Sequence, residues 1–187
     1  MEVISYNFVL PTHPKMDDHS HLFKVLKSNG IHKQSTDDFR IQFVTKQGYI
    51  FCRSPLELPN IPSKVQTHQF ELNQTIQLAV VMSNKQRDYR FENGLTTEFS
   101  RTLVSPIEIS EYFTKFFKKH GLEISALESK NAPSQFVNPL KKPSFTISCL
   151  DLVFTAKIVD LNLFLKAWTV GVGRQKTYGL GMLRVIS

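Results

Sequence analysis

Four of the chain's eight glycines fall in one short segment, Gly171-Val172-Gly173-Arg174-Gln175-Lys176-Thr177-Tyr178-Gly179-Leu180-Gly181. Glycine lets backbone N–H groups approach a phosphate closely, and Arg174, Lys176 and Tyr178 add charge and a stacking surface. The segment is not a dinucleotide fingerprint, because Lys176 stands at the third glycine position and a strand, not a helix, is predicted to follow. Nor is it a P-loop, since no Gly-Lys-Ser/Thr precedes a helix. A tight helix-to-strand connection also uses glycine, but four glycines and two cations exceed what a connection needs. Phosphate contact is therefore the expected role of Gly171, Gly173, Arg174, Lys176 and Tyr178.

Other chemistries find less support. There is no H-x-x-x-H and no paired-carboxylate cluster, and the adjacent Asp17-Asp18 and Asp37-Asp38 suit caps or turns, so no metal site is expected. No G-x-S-x-G marks a serine nucleophile. Cys52 and Cys149 each lie in an apolar, strand-like run without C-x-x-C, which excludes a disulfide framework or zinc ribbon and suits a reducing cytoplasm. No small-molecule cofactor is expected.

Elements that would position the glycine segment can be read from periodicity. Ile4, Tyr6, Phe8 and Leu10 alternate in a first strand, Val3–Leu10. Asp17 or Asp18 can cap a helix from about His19 to Lys27, with Leu22, Phe23 and Leu26 on its apolar face. Phe39, Ile41 and Phe43 alternate next, and Thr45-Lys46-Gln47-Gly48 turns the chain into Tyr49–Arg53. Pro55, Pro59 and Pro62 leave a following helix missing or degenerate, and Val65–Leu72 reads as a strand.

The order then repeats. Ile76–Met82 is a strand buried on both faces at Val80 and Val81. Ser105-Pro106-Ile107-Glu108 predicts a capping box ahead of Ile109, Tyr112, Phe113, Phe116 and Phe117 at helical spacing. Leu122–Leu127 predicts a short strand, followed by a polar stretch from Ser129 to Pro143. In 145–154 the apolar phase changes after Cys149, suggesting a bulge or a strand buried on both sides. Asp160 caps a helix bearing Leu161, Phe164, Leu165 and Trp168, and Leu180–Ile186 is the last strand. The fold class is α+β: tandem ferredoxin-like (RRM-like) βαββαβ domains, 1–73 and 74–187, with a C-terminal glycine-rich loop at 171–181.

The 187 residues carry 23 Lys and Arg against 16 Asp and Glu, a net charge of +7. The excess is +2 over residues 1–94 and +5 over 95–187. Such a surface attracts polyanions, nucleic acid first, although it also simply keeps a protein soluble. No apolar run approaches the roughly 20 residues that span a bilayer, and Met1–Tyr6 lacks the basic start of a secretory signal. No membrane partner is expected, and the expected location is cytoplasmic.

From Leu150 to Ser187 the chain resembles the C-terminus of CRISPR repeat-processing endoribonucleases of the RAMP superfamily, closest to the CasE-type subunit of Cascade. Both show a strand, a short helix and G-x-G-x-x-K-x-x-G-x-G before a final apolar strand. Here that pattern is Gly171, Gly173, Lys176, Gly179 and Gly181. The close match covers about the last fifth of the chain, and the element order agrees with two ferredoxin-like domains over the rest.

The resemblance implies a catalytic histidine on the first helix in an H-x-x-L context, which His19-Ser20-His21-Leu22 supplies at His19. Metal-free RNA cleavage needs a base for the 2′-OH and an acid for the 5′-oxygen, and imidazole titrates in the range for either. At a helix N-terminus the dipole disfavours imidazolium, which helps His19 act as base. Some relatives carry a tyrosine three residues earlier, where this chain has Met16; His21 or Lys176 could supply the second group. His13, His32, His68 and His120 match no family position and read as structural or exposed.

The resemblance further implies binding of the CRISPR repeat hairpin, cleavage at its 3′ base to 2′,3′-cyclic phosphate and 5′-hydroxyl ends, and retention of the product. Other subunits of a CRISPR effector complex are the implied protein partners. Lys141 and Lys142 stand where the family sends a basic hairpin to the RNA stem, and Lys85 and Arg87 are placed to contact phosphates from the Ile76 strand. The alternative is a non-catalytic RAMP subunit that caps the guide hairpin without cutting. A general ferredoxin-like RNA-binding protein is a third reading.

Overall fold

A computed structural model describes residues 1–31, 40–92, 95–137 and 143–186, with the backbone alone at 87–89, 91 and 92. The first half runs β1 (Glu2–Pro11), α1 (Asp18–Ser28), β2 (Gln42–Lys46), β3 (Tyr49–Ser54) and β4 (Lys64–Gln69). These strands form one antiparallel sheet in the order β2-β3-β1-β4, the ferredoxin-like arrangement with β1 and β3 at its centre. Asp17 caps α1, its Oδ1 accepting the Ser20 N–H at 3.0 Å. Leu22 and Leu26 pack under the sheet with Phe8, Phe43, Ile50 and Cys52, whereas Phe23, expected on the apolar face, is exposed. Gln47 and Gly48 both have positive φ, the mirror-image turn that matches strand twist in a two-residue hairpin. Between β3 and β4 the proline-rich segment forms no helix; Leu58 is buried in the core beneath and Ile61 packs against it.

The second half runs β5 (Thr75–Ser83), β6 (Lys85–Glu92), β7 (Leu95–Thr102), α2 (Pro106–Lys118), β8 (Leu122–Val137), β9 (Phe145–Ile158), α3 (Leu161–Val170) and β10 (Arg184–Val185). Its main sheet, in the order β10-β5-β9-β8, repeats the first topology, and β6 and β7 form a separate hairpin between β5 and α2. Ile109, Phe113 and Phe117 of α2 and Phe164 and Trp168 of α3 bury one face of this sheet.

Several expectations are corrected. The Ser105 side chain makes no cap hydrogen bond, and Glu108 pairs with Arg101 instead of closing a capping box. The strand starting at Leu122 continues to Val137, because its polar side chains face solvent while its backbone stays paired with β9. Its register shifts between Ile124 and Ala126 and again between Ala132 and Gln135. The phase change along β9 is burial on both sides: Leu150, Leu152 and Phe154 enter the main core, while Ile147 and Cys149 join Val137 and Leu180 in a smaller one. Leu180–Leu183 is buried without strand pairing, so the last strand is far shorter than expected. Among the described residues no helix is long and apolar enough to cross a membrane.

The halves meet along a polar seam. Buried Arg53 of β3 donates to the carbonyl of Trp168 at 3.0 Å and to Gln42 Oε1 at 3.1 Å. Its guanidinium stacks 3.9 Å from the Trp168 ring centre. Gln42 Nε2 donates to the Trp168 and Thr169 carbonyls. With no carboxylate among these contacts, Arg53 is held by the negative carboxyl end of α3.

Candidate functional site

The first turn of α1 opens into a cleft of about 590 Å³ between the halves. The Asp17 cap fixes that turn, and Thr45 Oγ1 ties it to β2 by donating to Asp18 Oδ2. His19 projects into the cleft, which is walled by Val44 and Lys46 of β2, the Ala132–Val137 end of β8, Tyr178 and Arg184. Burial holds the His19 imidazole below the usual histidine range, the Asp17 carboxylate partly opposing this. At neutral pH the ring is therefore a neutral base.

Tyr178 meets His19 edge-on, ring centres 5.6 Å apart. It is carried there by a short 3₁₀ turn, Lys176–Tyr178, that packs against α1 and β2. Arg184 of β10 lies on the same cleft wall, its Nη2 at 3.8 Å from Asp151 Oδ1. Its buried Nε finds no hydrogen-bond partner among the described residues. A neutral imidazole, a phenol and a guanidinium thus line one cleft, a set able to accept a proton, donate one and stabilise an anion.

His21 does not line this cleft. Its ring lies 5.3 Å from that of His13, centre to centre. Lys176 turns away from His19, donating to the Gly171 carbonyl at 3.3 Å. Burial first, then Arg40 and Lys166, pull its ammonium below the usual lysine range.

Lys176, Arg174, Gly173 and Lys85 gather instead around a second, basic cleft of about 460 Å³, joined by Arg40. Arg174 donates to the Lys85 carbonyl at 3.2 Å, and Arg40 to Thr177 Oγ1 at 3.1 Å. The structure thereby brings Lys85 to the glycine-rich loop. Lys141, Lys142 and His32 lie outside the described residues, as does the side chain of Arg87.

The glycines themselves answer to packing. Gly171 closes α3, its N–H donating to the Ala167 carbonyl and so not open to a phosphate. A Cβ on Gly173 would meet Met82 Cε at 2.6 Å, and one on Gly181 the Val172 carbonyl oxygen at 1.9 Å.

Arg40 and Arg184 escaped sequence reading. Arg184 stands in the run expected to be a plain apolar strand, three residues after Gly181. A lone cation in such a run was the available signal.

The architecture defines a tandem ferredoxin-like protein with a histidine-bearing cleft between its halves. No family model and no curated protein sequence matches the chain. Solved structures match along nearly all of it. One is the CRISPR-associated protein Cas6e from Escherichia coli str. K-12, with a TM-score of 0.68, 13% identity and 98% of each chain covered. A CRISPR endoribonuclease Cse3 bound to a 19 nt RNA gives 0.70 at 14% identity, covering 99% of each chain. A chain of a CRISPR RNA-guided surveillance complex gives 0.64 at 15% identity, over 96% of this chain and 98% of that one. At these identities the likeness establishes the fold.

Proposed function

We propose that the protein is a cytoplasmic, metal-independent endoribonuclease that processes CRISPR precursor RNA and remains on the cleaved guide as an effector-complex subunit. The observation that carries this reading is His19: a neutral imidazole on a capped first helix, in the interdomain cleft and in edge contact with Tyr178. The C-terminal glycine pattern and the fold shared with Cas6e and Cse3 support the same reading.

In the proposed reaction His19 takes the proton of the 2′-OH next to the scissile phosphate. The 2′-oxygen attacks phosphorus, the bond to the 5′-oxygen breaks, and the products are a 2′,3′-cyclic phosphate and a 5′-hydroxyl. In this reading Tyr178, which lines the cleft beside His19, gives its phenolic proton to the leaving 5′-oxygen, and His21, which does not line it, has no part. Arg184, on the wall of the same cleft, faces the negative charge that grows on the phosphorane. The hairpin stem is held by Lys85, Arg174 and Lys176 around the second cleft, through phosphates and shape. Arg87, Lys141 and Lys142 are further RNA contacts in this reading.

Cleavage of labelled repeat RNA in excess EDTA tests the proposal. Wild type should cut, and His19→Ala should lose about 10²–10⁴-fold in rate, as removal of a general base does, while binding the hairpin normally. Binding without cutting by both proteins would replace the nuclease with the guide-capping subunit, a reading that Met16 in the tyrosine position favours.

A further inference from the structure

β1 and β3, the central strands of the first sheet, divide their side chains between two faces. Phe8, Ile50 and Cys52 point to α1 and are buried. The opposite face begins buried at Arg53 and Gln42, against the end of α3. Farther along the same strands it opens to solvent, where Phe51 stands opposite Val9 and Tyr49 opposite Pro11. Tyr49 is 51% exposed, Phe51 39% and Val9 52%. The described positions that alternate onto this face include Lys46, Arg53 and Lys64 but no Asp or Glu.

An exposed aromatic pair on the central strands of a four-stranded sheet of this topology, bordered by lysines, suits stacking of single-stranded RNA bases. Two residues apart on one strand, the rings sit about 7 Å from each other, room for one base each. The face is also continuous with the His19 cleft. Val44 and Lys46 line that cleft and pair directly with Phe51 and Tyr49 on the neighbouring strand. A chain leaving the cleft therefore reaches the rings by crossing one strand spacing, about 5 Å. The join to the cleft favours RNA over a protein partner as the occupant of this face.

We propose that the solvent-open end of this face, centred on Tyr49 and Phe51, binds the single-stranded RNA flanking the cleavage site by base stacking. The assignment of the flank rests on RNA cleavage in the adjoining cleft; the stacking surface itself does not.

Fluorescence anisotropy with three labelled RNAs tests it: the bare hairpin, the hairpin with single-stranded flanks, and a flank strand alone. Wild type should bind the flanked hairpin about tenfold or more tighter than the bare one, the scale of stacking one or two bases. The Y49L/F51L double variant, which keeps apolar area but removes the rings, should lose that preference and bind the bare hairpin unchanged. The Y49F/F51Y exchange should keep it. Equal preference in wild type and Y49L/F51L would overturn the proposal, as would a Y49L/F51L defect confined to joining purified effector subunits. If no hairpin binds at all, the cleavage reading fails separately. The flank strand alone then decides: binding weakened by Y49L/F51L sustains the stacking surface, and binding that is absent or unaffected overturns it.

Discussion

At the scale of single residues, His19 sets the expected pH dependence of cleavage. Its folded-state pKa lies below 6.5, chiefly through burial. A general base works in its neutral form, so kcat/KM should rise with pH along one acidic limb whose midpoint falls below 6.5 and then level off. An imidazole acting as the acid would give the opposite slope in that window. Asp17 supplies the test of assignment, because its carboxylate is the charge that raises His19. Asp17→Asn keeps a competent helix cap and removes that charge. The limb should then move to lower pH, read from single-turnover rates across pH, whereas an unmoved limb would place the titrating base elsewhere. The first helix was legible because it is local, its cap and apolar spacing lying within ten residues, whereas His19 was singled out on it by the family resemblance. Tyr178 was legible only as a stacking surface, since nothing in local spacing reports that the loop returns to α1.

At the scale of elements, the glycine-rich loop is a close-packed corner, and its tolerance to substitution should show this. Gly181 has φ of 79° and its N–H donates to the Val81 carbonyl. A Cβ there would overlap the Val172 carbonyl, backbone that no side-chain rotation can relieve. Gly181→Ala should cost about 2–4 kcal/mol from strain plus displacement, measured by urea unfolding. Gly30, whose Cβ would meet nothing within 4 Å, is the control: Gly30→Ala carries only the cost of its positive φ. Both ferredoxin-like orders, the three helices and the missing fourth were readable from periodicity and proline placement. Elements decided by partners were not. β8 continues ten residues past its expected end at Leu127 because β9 pairs with it, although its exposed face carries no apolar alternation. The β6–β7 hairpin escaped because its described β7 side chains are all exposed, so no buried phase marks the strand. The end of the chain erred in the other direction: Leu180 to Leu183 is apolar because it is buried, and the ladder with β5 is limited to Arg184 and Val185.

At the scale of the whole molecule, the seam couples folding to pH. His68 lies against it, its ring edge-on to Trp168 at 4.9 Å and stacked on Phe70 at 5.7 Å. Its pKa is lowered first by burial and then by the charge of Arg53. His19 and His120 are lowered as well, burial leading in both, with Lys176 and Lys119 adding to the effect at His120. Above pH 6.5 these histidines are neutral folded and unfolded, and pH does not alter stability through them. As pH falls below 6.5 the unfolded chain takes up protons that the native fold resists, so stability declines until pH passes the lowered native values. Urea midpoints should accordingly be lower at about pH 5.5 than at about pH 7.5. His68→Phe separates the seam from the other two histidines, because a phenyl ring keeps the contact with Trp168 but has no proton to gain. The acid loss should shrink in His68→Phe while stability at the higher pH stays near that of wild type. An unchanged acid loss would assign it to groups other than His68, and leave the two halves joined by a seam that does not sense pH through His68.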